Sequence, residues 1–237
     1  VPVRQWVLSV PFQLRFRMAF DHELSRKVHA VFARAVEGFY RDRAKRTRRP
    51  GGKTGCVTVI QRGGSALNVN VHFHSLFLDG TFHEQPDGSL CFYAQKPPTD
   101  EEIDALLKTI TGRIKRLLQR RGLWDPGHEL PDLSADMEPP ALGDLTAASI
   151  SQTVATGPRA GQPVRKLGVP LADPDPSPRE RKARIDGFDL HASAAVAANS
   201  RGRLERSCRY LLRPLIVNER LELTGDGQVR LALKNRY

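Results

Sequence analysis

The sequence predicts an α+β fold in which strands and helices alternate along the chain. Three observations carry this. Residues 68–78 (NVNVHFHSLFL) alternate between polar and apolar side chains as far as His74, the period of a strand with one packed face. Gly63-Gly64 separates that run from a β-branched run at 55–61, so the two are expected to pair antiparallel. Two longer stretches carry apolar residues at helical spacing.

In chain order, residues 3–10 form a short, mostly apolar run closed by Pro11, the expected first strand. Asp21 is placed to cap a helix whose apolar positions are Leu24, Val28, Val31, Phe32, Ala35 and Phe39. That helix leaves in a basic run (Arg41, Arg43, Lys45, Arg46, Arg48, Arg49) and stops at Pro50-Gly51-Gly52. Asp79-Gly80 breaks the histidine strand, and a further strand is expected at 90–94 after the turn Pro86-Asp87-Gly88. Thr99 and Glu102 have capping-box spacing. The stripe Ile103, Leu106, Leu107, Ile110, Ile114, Leu117 and Leu118 then predicts a second long helix, stopped near Gly122. The proline-rich stretch 124–184 reads as a largely irregular connection with a short helix near 145–154. A strand is expected at 188–198 and a helix at 203–212. The chain thus divides into 1–123, with the histidine strand, 124–184, the connection or insertion, and 185–237, which completes the domain.

Composition narrows the partner. Lys and Arg total 37 against 26 Asp and Glu, a formal net charge of +11 with a pI near 10.1. That excess favours a polyanion, and nucleic acid is the commonest. Mean hydropathy is −0.41, and no apolar run approaches a membrane span. Cys56, Cys91 and Cys208 are widely separated, which suggests neither a disulfide framework nor a cysteine zinc site. With no secretion signal at Val1-Pro2-Val3-Arg4, a bacterial cytoplasmic setting is expected. The absence of an initiator Met suggests a piece of a longer protein.

Two places carry chemistry. On the strand 68–78, Val69, Val71, Phe73 and Phe77 share one face, while Asn68, Asn70, His72 and His74 share the other. At about 3.3 Å rise per residue, the two histidine α-carbons stand about 7 Å apart, a gap that imidazoles can close onto one divalent ion. On the helix 203–212, Arg203, Arg206, Tyr210 and Arg213 fall on one side and Leu204, Cys208, Leu211 and Leu215 on the other. A tyrosine hydroxyl can attack a phosphodiester and form a phosphotyrosine. Its ordinary pKa is about 10, so it needs help. Arginines stabilise phenolate and phosphate oxygens, and a divalent ion polarises the phosphate. Tyr40 lies beside the apolar stripe of its helix and is expected to pack. Tyr93 falls in a strand.

Asn70-Val71-His72-Phe73-His74 resembles the His-hydrophobic-His (HUH) motif of rolling-circle nucleases, with the lead-in 61–68 (QRGGSALN) before it. The segment 208–214 (CRYLLRP) resembles the tyrosine motif of rolling-circle insertion-sequence transposases, in particular the single-tyrosine common-region branch of the two-tyrosine family. The order, metal strand first and tyrosine helix later, also matches. This resemblance implies an HUH-nuclease-like fold, an antiparallel central sheet flanked by helices with a ferredoxin- or RRM-like core. It implies a transposase that nicks and joins single-stranded DNA at element ends, with Mg²⁺ or Mn²⁺ as cofactor. It would leave a 5′-phosphotyrosine and a free 3′-hydroxyl. The chain departs from the two-tyrosine pattern, since Arg206 and Pro214 stand four residues either side of Tyr210. The Cys-rich zinc module such proteins tend to carry upstream is also absent.

Two histidines rarely complete a metal site. His191, before the tyrosine helix, and Gln61, on the neighbouring strand, are the candidates for a third ligand. His22, His29, His83 and His128 are expected at the surface. DNA contacts are expected from Arg203, Arg206 and Arg213, and from Arg43 and Arg46 in the basic run. Two other classes use such residues: a zinc-dependent hydrolase built on His-x-His, and a non-catalytic module whose histidines and Tyr210 stack on single-stranded bases. Both known hydrolase patterns need Asp or His where Leu76 stands.

Overall fold

The structure, a computed structural model, describes residues 1–63, 69–126, 162, 181–213 and 221–231. The turn after Gly63, the helix expected at 145–154, His128, Pro214, Leu215 and Tyr237 lie outside the described residues. So does most of the proline-rich connection.

The fold is α+β, with an antiparallel sheet and four helices among the described residues. The strands are β1 (Val3–Ser9), β2 (Cys56–Gly63), β3 (Val69–Leu78), β4 (Gly80–Glu84) and β5 (Leu90–Ala94), then β6 (Lys182–Ile185), β7 (Phe188–His191) and β8 (Ala195–Val196), and last β9 (Leu221–Leu223) and β10 (Val229–Leu231). The helices are α1 (Phe12–Phe20), α2 (His22–Arg46), α3 (Asp100–Arg120) and α4 (Arg201–Leu211). The main sheet runs β2-β3-β1-β7-β6, with β8 also pairing β1. Strands β4 and β5 form a separate hairpin, as do β9 and β10.

The alternation in β3 explains the layers. Val71, Phe73 and Phe77 are fully buried, as are Trp6 and Leu8 of β1 and Phe188 and Leu190 of β7. They join the apolar stripes of α2 and α3 in one core cluster on that side of the sheet. The helix starts behave as their sequences predict. Asp21 Oδ1 accepts from Leu24 N at 2.8 Å, and Thr99 and Glu102 close a reciprocal capping box. Gly122 follows α3 at φ 67°, a left-handed stop that favours glycine.

One polar network sits in this core. Arg4 donates to both oxygens of Asp79 (3.1 and 2.7 Å) and, through Nη1, to the carbonyl of Ala192 at 2.8 Å. Tyr40 donates to Asp79 Oδ1 at 2.9 Å, and Trp6 Nε1 donates to Tyr40 at 3.2 Å. Tyr40 is fully buried, as its place beside the apolar stripe predicts.

Several expectations need correction. The helix α1 was not anticipated. Phe12, Leu14, Phe16 and Met18 alternate with polar residues at a period of two, which hides a helix. The expected strand at 188–198 is two strands, β7 and β8. The edge strand β6 begins inside the range read as connection, at Lys182, and runs one residue past its end. His29 is not at the surface: its ring lies 5.7 Å from Phe73, and Nε2 meets Thr58 Oγ1 at 2.9 Å. His83 is half-buried, with Nε2 2.9 Å from Thr81 Oγ1, whereas His22 is exposed.

Candidate functional site

Residues directly opposite one another in an antiparallel pair project to the same side. The register therefore writes out the face turned away from α2 and α3. One row reads Gln61, His72, Ser9, Asp189 across β2, β3, β1 and β7. The next reads Val59, His74, Val7, His191, Lys182 and continues into β6. A third pairs Val57, Leu76 and Gln5. The sheet thus gathers three of the expected residues, His72, His74 and His191, with Gln61 beside His72.

The rings of His72 and His74 meet edge to face, 4.8 Å between centroids. His72 Nδ1 lies 2.7 Å from the carbonyl oxygen of Asn70, and His74 Nδ1 lies 2.8 Å from Gln5 Nε2. Each contact occupies Nδ1 and leaves the far nitrogen, Nε2, for another partner. Burial pushes the pKa of His74 down to about 3, aided by His72 and His191. Burial also lowers His72, against the Asn70 carbonyl and with help from Arg15. Both rings are therefore neutral near pH 7, the form that binds metals.

His191 stands one strand beyond Val7 from His74, so about 10 Å separates those two α-carbons at about 4.8 Å per strand. Imidazoles leaning over Val7 from both sides can span that gap. Among the described residues, no three His, Cys, Asp or Glu side chains are already gathered as a metal-binding group. The residues fit a divalent ion at the His72–His74 pair, with His191 within reach as the residue that must lean in.

The tyrosine helix α4 lies over this same face. Arg203 and Ser207 border a small cleft with Gln5, Leu76 and Val196. Near its other end, Gln61 Nε2 donates to the carbonyl of Leu211 at 3.4 Å. The inward stripe differs from the expected one: Ser207 and Leu211 are buried, while Leu204 and Cys208 are half-buried. Ser207 can turn inward because its hydroxyl donates to Arg203 O at 3.0 Å. Tyr210 is consequently half-buried at the margin of the packed stripe, one residue before Leu211. Arg206 and Arg213 are exposed, and so is Arg203 apart from its side of the cleft.

The other expected DNA contacts lie elsewhere. Arg46 is exposed at the end of α2. Arg43 is committed locally, with Nη1 donating to Lys96 O at 2.7 Å, Nε 3.4 Å from Glu102, and its guanidinium over the Phe39 ring. Sequence reasoning missed Gln5, Arg15 and Asp189 at the site. The alternation of β1 and β7 would have put Gln5 and Asp189 on the histidine face once the register was known.

The sheet face thus carries paired neutral histidines beneath a helix with a tyrosine and arginines. Residues 55–237, most of the chain, match the sequence profile of the family described as "Putative transposase". The chain belongs to that transposase family. No curated protein and no solved structure matches it. No described helix is long and apolar enough to cross a membrane.

Proposed function

We propose that this transposase nicks and rejoins single-stranded DNA as an HUH-type, single-tyrosine enzyme, with Tyr210 as nucleophile. The observation that carries the reading is the Gln61–Leu211 hydrogen bond. Gln61 faces His72 across the β2–β3 pair, so the bond ties the last turn of the tyrosine helix to the histidine row. Three features remote in sequence therefore share one sheet face. The family match supports the transposase class, and the chemistry below is our reading of the residues.

His72 and His74 would hold Mg²⁺ or Mn²⁺ through their Nε2 atoms, with His191 as third ligand. Polarisation of the scissile phosphate is the chemistry the ion supplies when bound. The Tyr210 oxygen forms a bond to phosphorus as the bond to the 3′ oxygen breaks. The phenolic proton is lost and the departing 3′ oxygen gains one. The products are a 5′-phosphotyrosine and a 3′-hydroxyl. In rejoining, a 3′-hydroxyl attacks the same phosphorus and the Tyr210 oxygen leaves. One phosphate ester replaces another in each step, so no external energy source is needed. Arg206 on the same helix and Arg213 just past its end, both exposed, are placed to track the phosphate backbone.

The test uses labelled single-stranded DNA carrying an element end, with Mg²⁺ or Mn²⁺, resolved on a denaturing gel. Wild type should give an EDTA-sensitive nick and a covalent adduct that maps to Tyr210. Tyr210→Phe should abolish both while DNA affinity and melting temperature stay within twofold and about 2 °C. A nick with no adduct would point to an activated water, and binding with no nick to a single-strand binding module. Either result overturns the proposal.

A further inference from the structure

The helix α1 crosses the end of the main sheet beside the histidine face. At its start Pro11 packs on Gly187 in the β6–β7 turn, and near its end Ala19 O accepts from Arg62 at the end of β2. Between them Arg15 turns back, and its Nε donates to the carbonyl of Val10 at 2.7 Å. Val10 directly follows Ser9, the residue that His72 and Asp189 flank. The anchor fixes the guanidinium through Nε alone. Among the described residues, neither Nη1 nor Nη2 has a hydrogen bond or an ion pair. Asp189, whose charge acts on Arg15, pairs with Arg184 at 3.5 Å.

The charge of Arg15 is felt at the site. It opposes protonation of His72, and Arg15 is itself under the influence of Asp189 and Arg184. The Arg15 side chain is half-buried and anchored at Nε, so its guanidinium is held in place, while Nη1 and Nη2 are not sealed in the interior. A planar fork with its two terminal nitrogens open is the shape that receives two phosphate oxygens at once.

We propose that Arg15 is a phosphate-binding residue of the site, its Nη1 and Nη2 gripping the non-bridging oxygens of a phosphodiester of the single strand lying over His72. The inference rests on the reading of the protein as a single-strand DNA enzyme and adds a residue from outside both sequence motifs. Arg15 lies outside the matched region 55–237, so the first helix supplies part of the substrate grip.

The experiment measures binding of an unmodified single-stranded oligonucleotide in EDTA, so that neither metal nor cleavage enters the readout. Wild type, Arg15→Gln and Arg15→Lys are titrated over a range of salt, with thermal melts of each. Nicking by wild type is assayed in parallel. Arg15→Gln should weaken binding about 10- to 100-fold and flatten the log–log salt slope by about 0.7, the share of one phosphate contact. Arg15→Lys should restore the slope but only part of the affinity, because a point charge replaces the fork. If Arg15→Gln fails to fold, Arg15→Lys decides: weaker binding at an unchanged slope supports the grip, and wild-type affinity overturns it. A folded Arg15→Gln that binds like wild type, beside a wild type that nicks, overturns this proposal alone. A wild type that does not bind single strands overturns it together with the functional reading.

Discussion

Gln5 on β1 meets His74 on β3 diagonally across the pair, its amide Nε2 2.8 Å from Nδ1, on the side of the sheet opposite the core. This contact sets which nitrogen of His74 is left for chemistry. For Nε2 to bind a metal, Nδ1 must carry the proton, and the Gln5 amide oxygen must then turn toward it. Supporting bonds of this kind typically change metal affinity 10- to 100-fold. Gln5→Leu should therefore weaken Mn²⁺ binding by about that factor, with the fold intact. Isothermal titration at pH 7.5 reads this directly, and an unchanged affinity would mean that Gln5 orients nothing.

The buried histidines should make stability depend on pH. The folded pKa of His74, about 3, lies below its ordinary value of 6.5. Between those values the unfolded chain binds the proton and the folded chain does not. Stability is complete above pH 6.5 and is lost as pH falls, at up to about 1.4 kcal/mol per pH unit for this one group. His72 and His29 are lowered too and act in the same direction. Urea unfolding without metal at pH 7.5, 6 and 5 should show the decline. His74→Gln should reduce its slope, and equal slopes in the two proteins would discard His74 as the source.

The Arg4–Asp79 pair should be costly to break. Asp79→Ala leaves a buried guanidinium without its carboxylate and Tyr40 without its acceptor. A loss of about 3–5 kcal/mol is expected. Because Arg4 also holds the Ala192 carbonyl, next to His191, hydrogen exchange should rise in β7 and β8 before it rises in α3. Uniform loss of protection would mean that the pair supports the core alone.

Gly80 begins β4 where a Cβ would stand 2.2 Å from the carbonyl oxygen of Tyr93. Backbone cannot yield that distance cheaply, so Gly80→Ala should destabilise the β4–β5 hairpin while leaving the histidine rows in place. Melting temperature and single-strand binding, measured together, separate the two effects: the first should fall by several degrees, the second should hold within twofold.

Much of the histidine strand was readable in the sequence because a one-sided strand writes its burial at a period of two. Thr99 with Glu102, Asp21 and Gly122 were readable for a similar reason, since caps are local. What the sequence could not supply was register. Nothing in Asp189 or His191 says that they fall in rows with His72 and His74, nor in Gln5 that it stands one row beyond His74, because that depends on which residue of β1 faces which residue of β3 and β7. The helix α1 was hidden by its own alternation, and its packing against the sheet overrode the pattern. The rotation of α4 was missed because Ser207 reads as polar, although its hydroxyl is satisfied within its own helix.

The pairing of β1 has a consequence for how the molecule comes into being. Its first strand is bordered on one side by β3 and on the other by β7 and β8, made some 180 residues later. Closing contacts over so long a separation is slow and entropically expensive. During synthesis, β1, β2 and β3 can pair early, but one flank of β1 stays open until β7 leaves the ribosome. The row that holds His74 and His191 is thus finished only once β7 has been made, and a nascent chain has the histidine pair well before it has the tyrosine.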